Sequence, residues 1–433
     1  MRVVSLLILI SLPLLAGNDD SFLIRNASIH PVSGPDITNG SVLVVNGKIA
    51  DVGPKVAAPK GVRVIEGRGL HVYPGMIDSA TQLGISEISS VRETNDIGEI
   101  GKFNPQLRAS IAVNADSEHI PVTRVNGITS AIVLPGTSGS GGRSPAAYVQ
   151  GQASLIRLDG WTWEEMEVLR SAALQLRLPS LAPAGPSPTT GAGRPARTSL
   201  GEARRRVEAE KRDIADFFEQ ARRYQKAKAE GEPGLKPDLR LEAMIPVLEG
   251  KVPVLIQAER EKAIREAIEF ADKQKIRLIL ANVREPGAAV EEIRKRGIPV
   301  ILGPTLELPL DEDDPYDSAF TLAGELHRAG VKFAFGSFEN QFARNLPYQA
   351  ANAVAFGLPY DAALRAVTLT AAEIWGVADR IGSIDKGKIA DLVVTDGDLL
   401  ETKTQVKHLF ISGKAVSLET RHTRLYQRYL NRP

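Results

Sequence analysis

The sequence predicts an α/β protein: a (β/α)8 TIM-like barrel plus a small β-sandwich formed by both chain ends. Both ends, residues 22–70 and 386–418, read as short β-branched segments joined by Gly-containing turns. The long middle, residues 71–385, alternates apolar strands with amphipathic helices, the rhythm of parallel strands buried on both faces. That alternation fits an open doubly wound sheet as well as a closed barrel. Roughly 310 residues in one such block favour the barrel with insertions.

Taken in order, the chain starts with a basic Arg2 and an almost unbroken apolar run from Val3 to Ala16, with Pro13 near its end. Ala16 and Gly17 are small enough for cleavage before Asn18, so residues 1–17 read as a secretory signal peptide. The alternative is a buried N-terminal strand or helix. The run is shorter than the ~20 residues a membrane span needs. The expectation is a periplasmic or secreted protein with no integral membrane segment after signal removal. No cysteine follows the run, which excludes a lipoprotein anchor.

"FLIRNASIHP" and "GSVLVVNGKIADVG" then give strands, and Asn46-Gly47 is a two-residue hairpin turn. In the middle, "GITSAIVLPG", "VPVLIQA", "IRLILANV", "IPVILGP" and "VKFAFGS" are strands, while "EKAIREAIEFADKQK" and "GAAVEEIRKRG" are helices. A Pro/Gly-rich insertion, residues 178–200, reads as a mobile loop. Ser199 with Glu202 then has capping-box spacing, and Ile214, Phe217, Ala221 and Tyr224 form one apolar helical stripe. "GKIADLVVTDGDL" and "VKHLFISGKAV" return to the β style of the start.

Composition narrows the chemistry. A net charge of +1 gives no basic face for nucleic acid. With no cysteine, disulfides, thiolate metal sites and cysteine nucleophiles are excluded, leaving histidine and carboxylate to hold a catalytic transition metal. Of the six histidines, His30 and His408 fall in the β-rich ends, and His71 precedes the end of the first barrel strand. His119 and His327 fall in helical segments, and His422 in the basic tail. They read as structural or surface residues. The Gly-rich stretch Gly136–Ser144 follows a strand but lacks the Lys-Ser/Thr of a phosphate loop, so it reads as a loop over the barrel mouth.

The most informative stretch is "YPGMIDSATQLG", Tyr73–Gly84, at the end of the first barrel strand, where barrel active sites lie. With "TRVNGITSAIVLPG", "LPYQAANAVAFGLPYDAALRAVTLTAAEIWGV" and "GSIDKGKIADLVVTDGDLL", it resembles the amidohydrolase superfamily, in its imidazolonepropionase-like, dipeptidase-like branch. Pro74, Gly75, Ile77 and Asp78 match the family's lead-in. The resemblance implies a hydrolase acting on non-peptide or dipeptide C–N bonds, using zinc or a similar divalent metal.

The ligands that such a metal needs are replaced. Ala80 and Gln82 stand at the family's His-x-His, Gln257 and Asn282 at its two later histidines, and Phe338 at its catalytic aspartate after Ser337. Alanine has no donor atom, amide oxygens are weak ligands, and a ring where a carboxylate must stand fills the cavity. No cofactor is therefore expected. The reading is a non-catalytic barrel, or a partner of an active relative as a hetero-oligomer or homo-oligomer. Two alternatives stay open. One is an active C–N hydrolase with an altered or metal-free site, drawing on Asp78, Glu285 and Ser337. The other is an exported solute-binding barrel. Asp78, Glu259, Glu285, Glu307 and Glu339 all lie near strand ends, where an oxygen-rich group takes Mg²⁺ or Ca²⁺ or performs acid/base work, unless they are caps and solvated acids.

Overall fold

The computed structural model describes residues 20–88, 90–136, 147–180 and 199–432. The signal peptide expected over 1–17, nearly all of the Gly-rich stretch 136–144 and most of the insertion 178–200 lie outside them.

The chain ends share one sheet. It contains β1 (Phe22–Ile29), β2 (Ile37–Val45), β3 (Lys48–Gly53), β4 (Arg63–Glu66) and β5 (His71–Pro74), with three later strands, β14 (Leu392–Thr395), β15 (Val406–Ile411) and β16 (Lys414–Ala415). The order is β16-β15-β14-β5-β1-β2-β3, with β4 beside β1. The hairpin turn is as expected: Asn46 and Gly47 have φ of 51° and 74°, the left-handed pair that matches strand twist. An added Cβ at Gly47 would also sit 2.5 Å from the Ser412 carbonyl oxygen.

β5 is the joint of this sheet. It runs parallel to β1 and antiparallel to β14. His71 therefore belongs to the end sheet, and the barrel begins at Met76 rather than at residue 71. The two separate layers of a sandwich are also replaced by something simpler. Phe22 and Phe410 stack at 4.2 Å between centroids. Their strands are three steps apart in the sheet, at ~4.8 Å per step. One continuous sheet thus curls over its own core of Phe22, Ile24, Val42, Val72, Leu392 and Phe410.

The second sheet is nearly a barrel. Its strands follow in sequence order: β6 (Met76–Thr81), β7 (Ile128–Val133), β8 (Val149–Arg157), β9 (Glu167–Leu176), β10 (Val254–Gln257), β11 (Leu278–Val283), β12 (Val300–Leu302) and β13 (Phe333–Phe335). All pairings are parallel except those of β8, which is antiparallel to both β7 and β9. This departs from a strict (β/α)8 repeat. The nine residues between β8 and β9, 158–166, are too few for a parallel crossover, which needs a dozen or more.

The helices are α1 (His119–Arg124), α2 (Trp163–Met166), α3 (Leu200–Ala229), α4 (Leu239–Leu248), α5 (Glu261–Gln274), α6 (Ala289–Arg296), α7 (Ser318–Arg328), α8 (Leu346–Ala355), α9 (Tyr360–Ala366), α10 (Leu369–Ile374) and α11 (Arg421–Leu430). Ser199 and Glu202 close the expected capping box of α3, and its buried stripe includes Ile214, Phe217, Ala221 and Tyr224. Phe217 stacks on Phe103 at 4.4 Å, and Phe218 meets Phe270 of α5 edge-on. This outer layer is separate from the barrel interior, which Ile77, Ile132, Leu155, Leu255, Ile279 and Ile301 fill. Among the described residues no helix is long and apolar enough to cross a membrane.

Candidate functional site at the barrel mouth

The first and last strands of the sheet, β6 and β13, adjoin, and that junction carries both Asp78 and Ser337. No regular ladder joins the two strands. The seam is stitched by the residues that follow β13: the Phe338 amide donates to the Ala80 carbonyl at 2.7 Å, and the Gln82 amide donates to the Glu339 carbonyl at 3.3 Å. The Thr81 hydroxyl also donates to the Glu339 carbonyl.

Asp78 and Ser337 form a sealed clasp across this seam. The Ser337 amide donates to Asp78 Oδ1 at 2.9 Å and its hydroxyl to Oδ2 at 2.6 Å. The Ala80 amide adds a third bond to Oδ1 at 3.2 Å. Asp78 and Ser337 are 1% and 2% exposed. Burial pushes the Asp78 carboxyl up to about 7, against the pull of the Ser337 and Ala80 donors. A serine beside a carboxylate resembles an activated nucleophile, but among the described residues no histidine or lysine bonds to Ser337 Oγ, and the pair is buried.

Ala80 is fully buried inside the barrel against Gly336; a Cβ at Gly336 would lie 2.7 Å from that of Ala80. Phe338 has φ of +54°, rare for a non-glycine residue, and packs against the apolar interior. Gln82 Nε2 donates to the Gly136 carbonyl at 3.2 Å. Gln257 ends β10 in register with Ala281. Asn282 sits at a bulge with φ of +53°, and its Nδ2 donates to Glu259 Oε1 at 2.8 Å.

The donor set does not fit a catalytic zinc. Ala80 and Phe338 offer no donor atom, and Gln82, Gln257 and Asn282 offer only amide oxygens, which are weak ligands for zinc. Two cavities open away from the β6–β13 junction, the second at the ends of β11 and β12. An open groove of about 590 Å³ is lined by Tyr224, Asp238 and Leu239, and a cavity of about 20 Å³ by Arg284, Gly303 and Thr305. None of the five replaced positions lines either.

Glu285 is brought to a different group. With Asp311 and Asp314 it makes a cluster of carboxylates whose oxygens lie within 4.8 Å of one another. Arg260 already occupies it, 2.7 Å from Asp311 and 3.6 Å from Glu285, as a cation would. Glu285 is raised above its ordinary value by burial and by the neighbouring Asp314. Glu307 pairs with Arg284 at 3.2 Å, while Glu339 is raised by burial and by Glu307. The candidate acids thus separate into a sealed Asp78, two rim acids paired with arginine (Glu285 with Arg260, Glu307 with Arg284), and two with no arginine among the described residues, Glu259 on the Asn282 amide and Glu339. Sequence reading named these residues but not their partners. The one available signal was Arg260 beside Glu259 on the strand-end loop.

Two of the six histidines, His30 and His71, meet in the end sheet. His30 Nε2 lies 3.0 Å from His71 Nδ1, His30 Nδ1 lies 2.8 Å from Asp36, and the His30 ring stacks on Tyr73 at 4.3 Å. Burial and the charge of His30 lower the His71 value.

This geometry can be set beside known proteins. The amidohydrolase family model matches residues 166–416, more than half of the chain. The chain belongs to the amidohydrolase family. Its fold is similar to that of an amidohydrolase from Thermotoga maritima MSB8, with a TM-score of 0.76 and 25% identity over 92% of this chain and 99% of the other. A prolidase solved with N-methylphosphonate-L-proline shares the fold at TM-score 0.55 and 17% identity, over 92% and 99% of the two chains. In sequence, the amidohydrolase tasK of Hapsidospora irregularis is 24% identical over 93% of this chain. The match covers only 44% of that relative, so the chain spans less than half its length.

Proposed function

We propose that this amidohydrolase-family protein is exported and non-catalytic, and that it works through association with other chains, an active relative or its own copies. The observation that carries this reading is the seam between β6 and β13. Phe338 stands at the family's aspartate position, its amide bound to Ala80 and its half-buried ring packed against the apolar interior. Ala80 in turn stands at the first ligand position, packed against Gly336. The site is filled as well as stripped of donors, which supports a lost activity rather than a substituted metal. A metal-free hydrolase built on Asp78 and Ser337 is disfavoured by their burial. Export rests on the apolar run from Val3 to Ala16.

The test is metal analysis of protein purified without chelator, with an assay on Xaa-Pro dipeptides and cyclic amides in added zinc. The expected result is no stoichiometric metal, no turnover, and a melting temperature unchanged by chelator. Stoichiometric zinc together with hydrolysis would overturn the proposal.

A further inference from the structure

α11 and the loop between β12 and α7 are opposite in charge and alike in apolar character. Residues 420–432 contain Arg421, Arg424, Arg428 and Arg432 and no acid. On the helix Arg421, Arg424 and Arg428 share one side, with Arg432 beyond its end, while Leu425, Tyr426, Tyr429 and Leu430 share another. No residue of α11 is buried; Tyr426 is 63% and Leu430 62% exposed. Such an apolar face left in water normally marks a contact surface.

The loop, residues 306–317, contains Glu307, Asp311, Glu312, Asp313, Asp314 and Asp317 and no base. Leu308 is 84% and Tyr316 74% exposed on it. Glu307 and Asp311 are held by Arg284 and Arg260 of the rim. Among the described residues, Glu312 and Asp313 are exposed and meet no cation, and Arg421 and Arg428 meet no carboxylate. Within one chain no ion pair joins the helix to the loop; Arg424 ties α11 to Glu118 at 2.8 Å instead.

We infer that α11 of one chain docks on the β12–α7 loop of a second copy, so that the protein self-associates head to tail. Arg421 and Arg428 then meet Glu312 and Asp313, and Leu425 and Tyr429, which adjoin that arginine row on the helix, cover Leu308 and Tyr316. The two surfaces differ, so the contact is heterologous and builds rings or open chains rather than a two-fold dimer. A ten-residue helix, ~15 Å long, offers little area to a bilayer, whereas the same molecule supplies a matching acidic surface. The inference concerns assembly alone and stands whether or not the barrel is catalytic.

The experiment is sedimentation velocity on the full chain across a concentration series, at low and high ionic strength. Wild type should exceed monomer mass and fall toward the monomer in salt. Arg421→Glu with Arg428→Glu should raise the concentration for half-association about tenfold or more. Glu312→Lys with Asp313→Lys should do the same, and the two sets combined in one chain should restore assembly. All four positions are exposed, so an unchanged circular dichroism spectrum and urea midpoint confirm folding. A wild type that stays monomeric throughout, or assembly indifferent to both reversals, overturns the inference. So does a monomer that binds phosphatidylglycerol vesicles through the same arginines, which would make a lipid surface the partner.

Discussion

Ser337 holds Asp78 at both carboxylate oxygens, amide to Oδ1 at 2.9 Å and hydroxyl to Oδ2 at 2.6 Å, across a sequence separation of 259 residues. The first prediction follows from that double grip. Asp78→Ala strands the buried Ser337 amide, and Ser337→Ala strands one carboxylate oxygen. Each should cost about 1–3 kcal/mol in urea unfolding. Because both remove the same contact, the double variant should cost clearly less than the sum. Strict additivity in a double-mutant cycle would show that the clasp does not close the seam.

Stability should fall as pH rises through this group. Burial lifts Asp78 from its ordinary 3.8 to about 7. Between those values the folded chain holds a proton that the unfolded chain has released. The stabilisation is therefore complete below about pH 4 and lost as pH rises through about 7. Asp391, raised by burial to about 6, acts in the same direction over a narrower window. The expected swing is on the order of a few kcal/mol. The urea midpoint should be higher at pH 5 than at pH 8, and Asp78→Asn, which mimics the protonated form, should shrink that difference. An unchanged pH profile in Asp78→Asn would rule out the assignment to Asp78.

Phe338 should reverse the usual ranking of glycine and alanine. Its φ of +54° penalises any residue with a Cβ by ~1 kcal/mol, a penalty glycine escapes. Phe338→Ala loses ring packing and keeps the strain, at a cost of about 2–3 kcal/mol. Phe338→Gly loses the same packing and relieves the strain, so it should melt higher than Phe338→Ala. Neither variant should acquire hydrolase activity.

Gly336→Ala should be destabilising by about 1–3 kcal/mol, because its Cβ would meet the Ala80 Cβ at 2.7 Å and the Ala80 amide nitrogen at 3.0 Å. Ala80→Gly in the same chain should recover part of the loss. Thermal melts of the two single variants and the pair check this, and an additive pair would contradict the close approach.

Much of this fold was legible because local chemistry and tertiary packing agree. Asn46-Gly47 turns as its residues demand, and the stripe from Ile214 to Tyr224 is the buried face of α3. β8 was not legible as an antiparallel strand, since a buried strand has the same apolar pattern in either direction; only the short link to β9 distinguishes them. At the mouth, the replaced positions could be named from the motif. Their consequences could not, because Ala80 meets Phe338, and Asp78 meets Ser337, only after the sheet has closed on itself. Arg260 among three carboxylates was invisible for the same reason: Asp311 and Asp314 come from a loop some fifty residues on.

The end sheet has a consequence for how the molecule is made. β5 gains its antiparallel neighbour only when β14 arrives, more than three hundred residues later in synthesis. Until then the edge of β5, which includes Val72 and Tyr73, stands as an open template for strand pairing. Contacts so distant in sequence are made slowly. The nascent chain is therefore most exposed to aggregation before its final strands emerge, and an interruption just short of Leu392 would leave that edge permanently uncovered.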